Sequence, residues 1–79
     1  MNSLNLIADE LQYQYPGNFD DRHDAESAAG RIVRDIEGDM PPKVAIQNAL
    51  EAHAILETDD GVFILIEEAY YGRDPRAAE

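Results

Sequence analysis

The side chains that could do chemistry in this sequence are mainly carboxylates. Seventeen Asp and Glu residues stand beside two histidines and no cysteine. His23 and His53 lie far apart in the chain, and neither belongs to an HExxH pattern. The two serines, Ser3 and Ser27, are not in the sequence context of a nucleophile elbow. We therefore expect no catalytic residue, no cofactor and no enzymatic activity.

Two arrangements of acids invite comparison with metal sites. An EF-hand frame can place Gly61 at the loop glycine and Glu67 at the closing position, but Leu56 then occupies the first ligand position. A loop that lacks its first carboxylate does not hold calcium, so we expect no metal site there. The second arrangement is the acidic run at residues 20–26, which is typical of a helix start, where the helix dipole favours negative charge.

Net charge is the strongest global feature of the sequence. The formal charge is −11 at pH 7 on a chain of 79 residues. A field of this sign repels nucleic-acid phosphates and anionic membranes and attracts basic protein surfaces. The same charge could also serve solubility alone.

The N-terminal segment lacks the basic residues of a signal peptide and carries acids from position 9 onward. The longest apolar run, residues 62–66, is too short to span a bilayer. Together with the absence of cysteine, these features predict a cytoplasmic protein. We expect residues 1–72 to form one compact domain and residues 73–79 a frayed tail.

Apolar periodicity predicts three helices in the first two thirds of the chain. The first runs from about Ser3 to Tyr15, and the second begins after Asp21 or Asp24 and ends at Gly38. The third follows the prolines at 41 and 42 and reaches about residue 53 or 54. Between the first two helices, Phe19 is the expected hydrophobic anchor of a loop.

Residues 54–68 predict a C-terminal β-hairpin. Asp60-Gly61 separates two apolar runs, and the second run is rich in β-branched residues. Val62, Ile64 and Ile66 would share one face of the second strand, with Phe63 and Leu65 on the other. The predicted fold class is therefore α+β, three helices followed by a hairpin.

This order of elements is similar to that of winged-helix domains, which implies a DNA-binding regulator with the third helix in the groove. Lys43, Gln47 and Asn48 on that helix include residue types that read base edges. However, the wing tip would carry Asp59 and Asp60, and phosphate contacts supply most DNA affinity. A winged-helix regulator, or an antitoxin-like partner protein, is therefore the alternative function.

The main functional prediction is a non-catalytic module that binds a basic protein surface. In size and charge the chain resembles the small acidic anti-restriction and anti-CRISPR proteins of phages and mobile elements. That resemblance implies a nucleic-acid mimic that blocks a nucleic-acid-handling protein, with no direct binding of nucleic acid or membrane. Two copies could also pair through the hairpin. The expected partner-binding residues are Asp20, Asp21, Asp24, Asp59, Asp60, Glu67, Glu68, Tyr70 and Tyr71.

Overall fold

Four α-helices make up the fold in the computed structural model, which describes residues 3–73. The first three predicted helices are confirmed. The helices are α1 (Ser3–Gln14), α2 (Arg22–Glu37), α3 (Pro42–Glu51) and α4 (Asp60–Tyr70). α1 packs against α2 and α4, α2 also contacts α3, and α3 contacts α4.

The predicted hairpin, and with it the α+β and winged-helix-like architecture, is wrong. Residues 55–59 form an irregular connection, and no strand occurs among residues 3–73. The segment that was expected to be the second strand is α4 instead. A two-stranded hairpin leaves half of its backbone groups unpaired, whereas a helix bonds its own amides and carbonyls.

Two local features explain why this segment is a helix. Phe63, Ile66 and Ala69 are buried and recur at three-residue intervals, as the inner face of a helix requires. Asp59 has extended N-cap geometry, and its carbonyl accepts the amides of Val62 and Phe63. A short apolar run fits both the two-residue period of a strand and the 3.6-residue period of a helix. The pattern within residues 62–66 therefore did not decide between strand and helix.

The hydrophobic core draws on every helix and on the loop between α1 and α2. Phe19 is completely buried, which confirms its predicted role as the anchor of that loop. Its ring centroid lies 4.5 Å from that of His53, which is half-buried at the end of α3. The other large, fully buried apolar residues are Ile7, Leu11, Ile32, Ile46, Leu50 and Ile66.

Three helices end in the same C-terminal motif, in which a residue with positive φ reverses the chain. These residues are Asp39 (φ 74°), Ala54 (φ 65°) and Gly72 (φ 82°). In each case the amide of the following residue donates to a carbonyl five positions earlier, the bond that defines a Schellman motif. Only Gly72 is the residue type that this conformation favours, so the first two ends carry backbone strain.

Arg22 joins the start of α2 to α1. Its guanidinium donates to Asp9 Oδ1 at 2.6 Å, Gln12 Oε1 at 2.9 Å, Glu26 Oε2 at 3.3 Å and the carbonyl of Asn5 at 3.4 Å. Partial burial lowers the pKa of Arg22, but the hydrogen bonds and charges of Asp9 and Glu26 outweigh it and raise the pKa above its ordinary value. The side chain therefore stays charged and links the start of α2 to α1 through charge-assisted hydrogen bonds.

One acid of α1 is buried. Glu10 lies outside the apolar stripe from which the sequence predicted this helix, so it was expected to face water, yet the residue is only 1% exposed. Its Oε1 accepts a hydrogen bond from Gln14 Nε2 at 2.8 Å. Because α1 contacts two helices, more than one stripe of its surface is covered.

Two predictions concern the ends of the chain and its relation to membranes. The frayed tail predicted for residues 73–79 lies, apart from Arg73, outside the described residues. Across residues 3–73, no helix has the length and apolar character needed to cross a bilayer.

Candidate partner-binding surface

The first group of predicted partner-binding acids surrounds the start of α2. Asp20, Asp21 and Asp24 are all exposed. Asp21 is the N-cap, and its Oδ1 accepts the amide of His23 at 2.9 Å. These acids therefore have a structural role in stabilising the helix start, where free amides and the helix dipole favour negative charge.

The second group lies at the start of α4. Asp59 and Asp60 are both exposed. Asp60 Oδ1 lies 3.5 Å from Lys43 Nζ, which also sits 5.3 Å from the centre of the Phe63 ring. The ion pair is solvent-exposed and contributes little free energy, but it neutralises one of the few lysine and arginine side chains.

The third group occupies the C-terminal half of α4. Glu67, Glu68 and Tyr70 are half-buried, and Tyr70 packs against the core. Tyr71 is 62% exposed, and its ring meets that of Tyr70 edge-on with centroids 5.1 Å apart. Tyr70 therefore anchors the pair, while Tyr71 presents an aromatic face to solvent among carboxylates.

One side of α4 gathers residues of the second and third groups into a continuous stripe. We call Asp60, Ile64, Glu67, Glu68 and Tyr71 the outer stripe of α4. They recur at four, seven, eight and eleven residues from the first, so they share one helical face. Ile64 is 56% exposed, a large apolar side chain left at the surface between acids.

Sequence reasoning missed Ile64 because it treated residues 62–66 as a strand. The hairpin separated Phe63 and Leu65 from the face shared by Val62, Ile64 and Ile66. In the structure Phe63 is only 8% exposed and belongs to the core with Ile66, whereas Ile64 is exposed. The signal that could have identified Ile64 is its spacing of three, four and seven residues to Glu67, Glu68 and Tyr71.

Two open clefts meet at Tyr71. One, of about 320 Å³, is lined by Ile64, Glu67, Glu68, Tyr71 and Arg73. The other, of about 550 Å³, includes Ser3 at the start of α1, Glu37 at the end of α2, and Tyr70. Their linings include carboxylates, aromatic rings and the aliphatic side chains of Ile64 and Val33. These are the groups needed to bind a surface that is both basic and apolar.

The acids at the start of α2 do not belong to this surface. Glu37, the last residue of α2, borders the cleft beside Tyr71, whereas Asp21 immediately precedes the first residue of α2. A helix of 16 residues is about 24 Å long, so the helix separates the two regions by most of the width of the molecule. The predicted site residues thus form two surfaces, and the one on α4 combines acids with the exposed side chains of Ile64 and Tyr71.

Within residues 3–73, no three acidic or histidine side chains come together as a metal site would require. The hairpin through which two copies were expected to pair is absent from this same range. Comparison of the chain with protein-family models, with curated proteins and with solved structures gave no significant match in any of the three.

Proposed function

We propose that this protein is a non-catalytic binding module that inhibits a nucleic-acid-handling protein by covering its basic nucleic-acid-binding surface. The observation that carries the proposal is the outer stripe of α4, where carboxylates surround two exposed apolar side chains. Such a stripe suits a partner that offers both positive charge and apolar contact area.

The distribution of charge supports a basic partner. All but one of the described acids are at least partly exposed, the exception being Glu10. Three of the bases, Arg22, Arg31 and Lys43, already pair with acids of the same chain. The field around the molecule is therefore negative, which accelerates encounters with basic surfaces and opposes binding to phosphates.

The residues of α3 that could have read DNA bases are engaged within the protein. Lys43 pairs with Asp60, and the amide of Gln47 donates to Glu51 Oε2 at 3.0 Å. These contacts leave α3 poorly suited to the groove of a duplex, since a groove-reading helix needs free donors and positive charge. They favour a protein partner over nucleic acid.

In size and charge the protein resembles the acidic anti-restriction and anti-CRISPR proteins of phages and mobile elements, and an inhibitor of that kind is our specific hypothesis. Its carboxylates would occupy positions on the target that nucleic-acid phosphates otherwise occupy. Binding of the protein and of nucleic acid to the target would then be mutually exclusive.

The test is capture followed by competition. The immobilised protein is exposed to a cell extract, and bound proteins are released with rising salt, which shortens the Debye length from about 8 Å at 0.15 M to about 3 Å at 1 M. Each captured protein is then tested for binding to labelled DNA or RNA with and without the acidic protein. We expect the nucleic acid to be displaced.

A variant with lysine at positions 59, 60, 67 and 68 serves as the control, because it reverses the charge along α4 and leaves the acids of α2 unchanged. It should neither capture the target nor displace nucleic acid. Unchanged capture by this variant, or simultaneous binding of nucleic acid and the acidic protein, would contradict the proposal.

A further inference from the structure

The spacing of the side chains in the outer stripe of α4 indicates more about the partner than that it is positively charged. Its exposed apolar residues, Ile64 and Tyr71, are seven residues apart, a rise of about 10.5 Å along the helix. Glu67 and Glu68 lie between them at the third and fourth positions. The core residues of α4 lie on the opposite side, so the stripe is presented to solvent as one face.

A second helix is the element whose side chains match this spacing. Two helices packed at a shallow angle keep residues seven apart in register along their contact. Apolar residues at that interval would cover Ile64 and Tyr71, and basic residues between them would reach Glu67 and Glu68.

Resting on the proposed function, we infer that the outer stripe docks a basic amphipathic helix of the partner. The helix would carry apolar residues seven positions apart, with Lys or Arg at the third and fourth positions between them. Helices that contact nucleic acid are rich in Lys and Arg, so the occupant can be the partner's own nucleic-acid-binding helix.

Charge argues against a second copy of this chain as the occupant. Two outer stripes placed face to face would bring Asp60, Glu67 and Glu68 of one copy against the same acids of the other, which is repulsive. Arg73 borders the cleft at the C-terminal end of the stripe. Its charge would repel the end of a docked basic helix, and removing that charge should tighten binding.

The probe is a synthetic peptide of about 18 residues, long enough to form a helix, with leucines seven apart and arginines at the third and fourth positions between them. A second peptide of the same composition has its leucines out of register. Affinities are measured by fluorescence anisotropy, and binding is mapped by amide chemical shifts. We expect the first peptide to bind at least about tenfold more tightly, with shifts concentrated in α4.

Substitutions of apolar residues test the contact itself. Ile64→Ser and Tyr71→Ser should each weaken binding about tenfold, as truncation of an interface anchor does. The matched controls are Leu56→Ser and Tyr13→Ser, because these side chains are 78% and 64% exposed and lie outside the stripe. The controls should retain the original affinity, and circular dichroism verifies that every variant is folded.

Substitutions of charged residues distinguish the contribution of the outer stripe to binding from that of the overall negative field of the protein. Glu67→Gln with Glu68→Gln should weaken binding and reduce its salt dependence, whereas Asp20→Asn with Asp24→Asn removes two acids at the far end of α2 and should have a much smaller effect. Arg73→Gln should strengthen binding.

Equal affinity for the two peptides, or equal losses from the two acid pairs, would overturn the inference and show that only the overall field acts. The proposed function would survive that result, because its test is displacement of nucleic acid from a captured protein. Conversely, selective peptide binding at α4 without any displacement would support the docked helix and contradict the inhibitor.

Discussion

Gly30 lies in the middle of α2, where it faces α1. A methyl group built on its backbone would lie 3.7 Å from Leu4 Cδ1, which is ordinary van der Waals contact. Its φ is not positive, so alanine fits the existing backbone. The structure therefore predicts that Gly30→Ala stabilises the protein without moving α1.

The expected gain is about 1 kcal/mol in the free energy of unfolding. Glycine in a helix interior is about 0.8–1.0 kcal/mol less favourable than alanine, because the unfolded chain gains more freedom. The new contact with Leu4 adds only a few tenths of a kcal/mol. In a domain of this size, 1 kcal/mol corresponds to an increase in Tm of about 4–8 °C.

Thermal and urea denaturation followed by circular dichroism measure this gain. Gly17→Ala is a matched control, because Gly17 lies in a turn where an added methyl meets nothing within 4 Å. It shares the loss of freedom in the unfolded chain but adds neither helix propensity nor a contact with Leu4, so it should stabilise the protein less than Gly30→Ala. A lower Tm for Gly30→Ala would refute the reasoning, since it would mean that α1 and α2 approach more closely than 3.7 Å allows.

Further predictions concern the helix ends, the core and the salt-bridge network, all measured by urea denaturation. Ala54→Gly and Asp39→Gly should each raise stability by about 1 kcal/mol, because glycine accepts positive φ without strain; a loss in either would exclude the left-handed turn. Ile66→Ala should lower stability by about 2–5 kcal/mol, because it opens a cavity beneath α4; a small change would mean that α4 is not packed on the core. Arg22→Met should cost at most about 1 kcal/mol, and the difference should shrink in 1 M NaCl; a salt-independent loss would indicate packing rather than charge.

Periodicity within one segment was sufficient for α1, α2 and α3. Each of these helices has an apolar stripe of several turns. α2 and α3 also have recognisable starts, in the capping candidates Asp21 and Asp24 and in the prolines at 41 and 42. A strand cannot satisfy a pattern that recurs every three to four residues over ten or more positions. The length of the pattern made these predictions safe.

The segment at residues 62–66 was too short for this reasoning. Five consecutive apolar residues fit a strand buried on both faces and a helix with one buried face equally well. Asp60-Gly61 strengthened the wrong choice, because the same dipeptide can form a hairpin turn or begin a helix. Packing of Phe63 and Ile66 into the core shared by α1 and α3 decides in favour of the helix over the strand.

For the candidate site, too, some features follow from the sequence and others only from the structure. The sequence shows that acids outnumber bases and that tyrosines stand near the end of α4. It does not show that Asp24 and Glu68 lie on separate surfaces, or that Ile64 rather than Phe63 faces solvent. Those assignments require the direction of α2 and the helical period of α4.

By itself the sequence determined the charge, three helices, a cap at Asp21 or Asp24 and the burial of Phe19, because each follows from residues close together in the chain. The tertiary structure decided that residues 60–70 form a helix, that Glu10 is buried and that Ile64 is exposed. The physical reason is that burial depends on what covers a face, and α1 and α4, which cover each other, are separated by most of the chain.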